Sequence, residues 1–190
     1  WFNEINNFNN HWSAIDDFSR NKDIKLTWEP SRFHWLVTAA QGYRTSNNYE
    51  YINLINNWLG DWSVNNPVNR GPNWKCGQEA SFRVLNIFLT AKILKKIDSP
   101  STAIQLMLEQ HCERIYSTLT YAIGQNNNHA TSEFAALFIA GSWLKFLGIN
   151  HKKSNIWLNR GEGGLSERVN HLVQEDGTFS QYSVNYHRLF

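Results

Sequence analysis

Residues 133–148 read EFAALFIAGSWLKFLG. Apart from Glu133, Ser142 and Lys145, every side chain is apolar or absent. This stretch predicts a very apolar helix from Glu133 to Leu147, stopped by Gly148, the residue type that most often closes a helix. An apolar run such as Phe134–Ile139 falls far short of the roughly 20 residues that cross a bilayer. It reads as a core helix, and no membrane span is expected.

Outward from this helix the same spacing recurs. Apolar residues three to four apart mark one face of a helix. Phe2, Ile5, Phe8, Trp12 and Ile15 make one stripe. Pro30 suits a helix N1 position, and Phe33, Leu36, Val37 and Ala40 follow it. Ser46-Asn47-Asn48 breaks that stripe, and Tyr51, Leu54, Ile55, Trp58, Leu59 and Trp62 make the next. Asn65–Pro72, with its prolines and amides, is a loop. Trp74 to Ile97 reads as one long helix. Ser99-Pro100 restarts the chain, and Ile104, Leu108, Cys112, Ile115 and Leu119 form another stripe. Gly124–Asn128 is a polar turn. Ile156 to Val173 is a further helix, interrupted in pattern by Gly161, Gly163 and Gly164, since glycine disfavours helix interiors. Asp176-Gly177 signals a tight turn. The prediction is all-α, about six or seven helices in antiparallel hairpins. Spacing leaves bundle, solenoid and toroid open.

Composition narrows the class. The chain has 190 residues, 42% hydrophobic, 14% aromatic and 18% charged, with mean hydropathy −0.50. Disordered chains are charge-rich and aromatic-poor, so this one folds, and 1–190 reads as a single helical domain. Net charge is +2, with Lys95-Lys96 and Lys152-Lys153 as isolated pairs. Nucleic-acid binding needs a basic stripe, and none is present. Cys76 and Cys112 form neither a CxxC pair nor a zinc pattern; they read as two free half-buried thiols, with a bridge between them as the alternative. The start on Trp1 and the end on Leu189-Phe190 predict a piece of a longer protein. The many amides and aromatics suit a cleft that stacks on a sugar.

Four segments are dense in polar and aromatic residues at helix ends, where backbone groups are exposed and function concentrates. They are Trp28-Glu29-Pro30-Ser31-Arg32-Phe33-His34-Trp35, then Asn73-Trp74 with Glu79 and Arg83, then Asn127-Asn128-His129 with Glu133, then Asp176-Gly177 with Ser183 and Tyr186-His187-Arg188. Glu79 and Arg83 are one turn apart and share a helix face. They read as a surface ion pair, or as an inward pair orienting a ligand-binding Arg. His11 and His34, among aromatics, read as partly buried. His111, His151 and His171 read as surface or capping residues. The Asn run before the helix of Glu133 is a good cap signal, but capping does not ask for His129 beside it.

In this order, and with Asp23–Thr27 before the first segment, the four strings resemble the heparinase II/III-like polysaccharide lyases, in their N-terminal alginate lyase-like helical domain. The resemblance covers nearly the whole chain. It implies an incomplete (α/α) toroid, followed by a C-terminal β-sandwich domain that this chain lacks. It implies β-elimination on an acidic, uronate-containing polysaccharide, without metal or cofactor, in a periplasmic or secreted protein. By position Asn128 matches the amide that neutralises the substrate carboxylate, with His129 beside it. Tyr186 matches the catalytic tyrosine, and Arg188 an arginine that holds a carboxylate. Family members add a histidine from the sandwich, absent here. Arg32, Asn73, Trp74, Glu79, Arg83 and His187 are then expected around the substrate. A hydrolase would instead ask for a carboxylate pair, which does not stand out. A non-catalytic carbohydrate-binding module and a helical-repeat scaffold are the alternatives.

Overall fold

The computed structural model describes residues 9–15, 23–181 and 183–185. The chain divides into two compact units, Trp1–Pro100 and Ser101–Phe190. Among the described residues the secondary structure is helical, with two isolated β-bridges and no strand. The all-α expectation is met. No helix of the described residues is long and apolar enough to cross a membrane.

The first unit contains α1 (Lys25–Trp28), α2 (His34–Ser46), α3 (Glu50–Asn65) and α4 (Gly77–Ile93), with short 3-10 turns at Pro30–Arg32 and Pro72–Trp74. Pro30 takes the N1 position of its turn. The chain then passes through Phe33 in the left-handed region, φ 68. That conformation is strained for a bulky side chain. Phe33 is fully buried, edge-on to Trp62 at 4.9 Å, and this packing offsets the strain. α2 ends at Ser46, and Asn47 turns the chain at φ 54. α2 packs against both α3 and α4. Leu36, Ala40, Ile55, Trp62, Trp74 and Val84 form the core between them.

The expected Trp74–Ile97 helix is shorter. Trp74 closes the Pro72–Trp74 turn, α4 begins at Gly77, and Lys95 leaves the helix at φ 55. Of the first expected helix, Phe2, Ile5 and Phe8 lie outside the described residues. Residues 9–15 hold a short turn, Trp12–Ala14. Their backbone lies along the loop before α4: Trp12 N–H donates to Asn69 O at 3.0 Å and Gly71 N–H to Asn10 O at 3.0 Å. The Lys75 ammonium donates to Ile15 O.

The second unit contains α5 (Thr102–Gly124), α6 (Asn128–Phe146) and α7 (His151–Leu172). Ser101 caps α5, its hydroxyl accepting from Ile104 N–H. α6 packs on both α5 and α7, which explains why residues 133–148 are apolar on nearly every side. The helix starts before Glu133, because Asn127 caps it: its Oδ1 accepts from His129 N–H at 2.9 Å.

Two of the glycines that interrupt the α7 pattern, Gly161 and Gly164, lie at its contact with α6. A Cβ on Gly161 would lie 2.3 Å from the backbone nitrogen of Phe138, and one on Gly164 2.0 Å from the Phe134 ring. Gly141 of α6 faces Leu158 N in the same way, at 2.5 Å. The two backbones touch, so helix propensity yields to packing. After α7, Asp176 Oδ1 accepts from Thr178 N–H at 2.9 Å and Gly177 has φ 82. This turn brings Phe179 back into a bridge with Val173.

Two minor expectations change, both on histidines. His111 is fully buried, with Nδ1 2.7 Å from Met107 O, because it faces the α5 core rather than solvent. His11 and His34 are exposed instead of partly buried. Cys76 and Cys112 are both free, and burial pushes the Cys112 thiol well above its usual range.

Candidate active site

In the second unit, Asn128 and His129 form the first turn of α6. Helix N-termini carry unpaired N–H groups and a partial positive charge, and so favour anions. Asn128 is buried, and its N–H donates to Gln181 Oε1 at 3.2 Å. Its carbonyl accepts from Thr131 Oγ1 at 2.8 Å and Ser132 Oγ at 3.1 Å. These bonds turn the polar side chains of the first turn back onto its own backbone. His129 is half-buried beside it.

Glu133 lies one turn further on and is buried, with Oε2 lacking a hydrogen-bond partner among the described residues. Burial raises its pKa to about 8, opposed by the positive charge of Arg114 on α5. At neutral pH it is mainly a neutral acid. Burying an unpaired carboxylate is too costly, so the group keeps its proton. The sequence places Glu133 in the third polar segment but gives it no role. The signal is a single carboxylate opening an otherwise apolar helix.

In the first unit, Arg32 and Glu79 form a bidentate pair, Nε to Oε2 at 2.7 Å and Nη2 to Oε1 at 2.8 Å. The Arg32 guanidinium also lies 5.3 Å from the centre of the Phe82 ring. Glu79 is buried while Arg32 keeps 24% of its side chain exposed. The Glu79 carboxylate holds the guanidinium above its usual pKa, chiefly through the hydrogen bond. Of the two readings of Glu79, the inward one fits, and the arginine it pairs with is Arg32.

Arg83 is fully buried between two indoles, 5.1 Å from the Trp62 ring centre and 5.6 Å from that of Trp74. Its Nη2 donates to Asn73 O at 2.8 Å. Asn73 Nδ2 donates to Asn66 Oδ1 at 2.8 Å, and Trp74 Nε1 to Asn66 O at 3.0 Å. Asn73, Trp74 and Arg83 thus belong to one buried network around Asn66, a residue the sequence reading passed over as loop. Of the first-unit candidates, Arg32 alone reaches solvent to a substantial extent. Tyr186, His187 and Arg188 lie outside the described residues.

The comparisons agree on one family. The sequence profile of the heparinase II/III N-terminus matches residues 3–190. The chain is similar to a heparin-sulfate lyase of Bacteroides thetaiotaomicron, 24% identical over 96% of this chain. It spans 28% of that relative's length. No solved structure gives a significant match. With the match running from residue 3 to the last residue, the chain belongs to the heparinase II/III family, and it corresponds to that family's N-terminal region.

Proposed function

We propose that this chain is the helical domain, residues 1–190, of a polysaccharide lyase that cleaves a uronate-containing polymer by β-elimination. The observation that carries the reading is the first turn of α6. There Asn128 and His129 stand at a positive helix end beside a carboxyl group that burial keeps neutral. A substrate carboxylate meets no negative charge on that turn.

The C5 proton of a uronate is weakly acidic because its carboxylate resists further negative charge. The Asn128 amide, with His129 or Arg188, binds that carboxylate and stabilises the enolate-like charge that develops as the proton leaves. Each such donor is worth about 3–4 kcal/mol in comparable sites. Tyr186, as phenolate, takes the C5 proton. The C4–O bond breaks as the C4–C5 double bond forms, and the leaving oxygen takes a proton. If both events fall on one face, Tyr186 returns the proton it removed. If they fall on opposite faces, a histidine is the base. The phenol pKa is about 10 and needs lowering by a cation such as His187 or Arg188.

Arg32, held by Glu79, contacts the polymer. Asn73, Trp74 and Arg83 support the turn before α4 from inside. An incomplete (α/α) toroid, a β-sandwich domain beyond this chain and a periplasmic or secreted location belong to the same reading.

The test is the full-length natural protein on a panel of uronate polymers, including heparan sulfate and alginate. Ultraviolet absorbance of the new double bond should rise with at least one, and Tyr186→Phe should abolish the rise. No rise on any polymer overturns the lyase reading and leaves a binding module or scaffold.

A further inference from the structure

The α2–α3 hairpin of the first unit carries a second chemistry, remote in sequence from the α6 turn. Trp58 and Tyr51 are 44% and 39% exposed. They are seven residues apart on α3, so they share a face at about 10.5 Å separation along the axis. That is close to the length of two pyranose rings in a chain.

Both rings are fixed from α2. Trp58 meets Trp35 edge-on, centroids 5.1 Å apart at 69°. Tyr51 lies on bare Gly42, where a Cβ would come within 2.8 Å of the ring. At the end of the hairpin Tyr49 and Tyr43 pack edge-on at 5.3 Å. The rings form a row along the seam between the helices. Their orientations are set before any ligand arrives, which lowers the ordering cost of binding.

The rim is hydrogen-bonding. Thr38, Gln41 and Thr45 are exposed along α2, and Glu50, Asn57 and Asp61 along α3. These six include two carboxylates and no Lys or Arg, and Arg44, exposed next to Tyr43, adds one cation at the end of the hairpin. A densely anionic polymer is disfavoured there, while sugar hydroxyls find both donors and acceptors. The apolar area is small. Aromatic side chains offer about 150–250 Å² each, so Trp58, Tyr51 and the 68% exposed Tyr49 leave about 300 Å² uncovered. A stable protein interface takes about 800 Å² per partner.

We infer that the α2–α3 seam is a binding platform for a neutral pyranose chain, stacked on Trp58 and Tyr51 through its C–H faces. It does not depend on the lyase reading, and it would hold a sparsely charged stretch of glycan.

The experiment is affinity electrophoresis of the full-length natural protein in gels containing a β-glucan, a galactan, a mannan or heparin. Retardation is expected with at least one neutral glycan. Trp58→Ala should weaken it about five- to tenfold, from the energy of one aromatic contact, and Trp58→Tyr should retain most of it. Tyr51→Ala serves as the second variant if Trp58→Ala loses its native circular dichroism. No retardation by any neutral glycan, retardation by heparin alone, or equal retardation of wild type and both alanine variants overturns the proposal. So does a Trp58→Ala change that splits an assembly on size exclusion, which would assign the seam to a protein contact.

Discussion

At the residue scale, Asn128 and Glu133 make separate demands on experiment. On the proposed mechanism, replacing Asn128 by Ala removes the amide donor that stabilises the developing charge, while the cap, Asn127, stays in place. Turnover should fall about 10²–10³-fold in the lyase assay, with a smaller change in KM and an unchanged melting curve. Glu133 is best followed by stability against pH. Its folded pKa is raised to about 8 from 4.5. Between those values the folded chain binds the proton more tightly than the unfolded one, so stability declines as pH rises through that window and levels off above it. Glu133→Gln removes this dependence. Thermal melts at pH 5 and pH 9 should show a smaller drop for the variant than for wild type. Equal drops would mean the carboxyl is hydrated or paired. These two residues also show the reach of sequence. Asn128-His129 was legible as a motif, and the structure adds a cap that belongs to Asn127. The neutral state of Glu133 was not legible, because it depends on burial in the folded unit that no local pattern encodes.

At the element scale, the α6–α7 contact gives a paired comparison. Glycine to alanine normally gains about 1 kcal/mol inside a helix. Gly163 faces open space, so Gly163→Ala should stabilise by about that amount. Gly161→Ala places a methyl against the Phe138 backbone and should destabilise by about 1–3 kcal/mol despite its better propensity. Denaturant melts of the two variants should shift in opposite directions, and shifts of the same sign would mean the helices stand further apart. Glycine was read in sequence as a weakness of this helix because propensity is local and helix contact is not. The same asymmetry explains α4. Apolar spacing carried the expected helix back to Trp74, but Trp74 is held by a bond from its indole to Asn66 O, and the helix begins after it.

At the scale of the whole molecule, apolar spacing anticipated the helical class, and the ordered polar strings anticipated the family. Arg32 was legible as a candidate, yet its partner was not: Glu79 is 47 positions away in sequence, and only tertiary structure brings them together. Glu79→Gln should loosen the guanidinium without removing it. A rise in KM with little change in kcat is expected if Arg32 holds substrate. An unchanged KM would make the pair structural. Tyr186 rests on the resemblance alone, since it lies beyond the described residues.

The touching backbones of α6 and α7 have a dynamic consequence. Helices joined through flexible side chains can slide or part by degrees, whereas two backbones with glycine between them have no slack to give. α6 and α7 should therefore open together as one cooperative unit. Asn128 at the start of α6 and Gln181 after the end of α7, joined at 3.2 Å, ride on that unit. Hydrogen exchange should report matching opening energies for the central amides of both helices, and Gly161→Ala should lower both by a similar amount. The turn that carries Asn128 would then inherit its precision from a contact made by residues with no side chain.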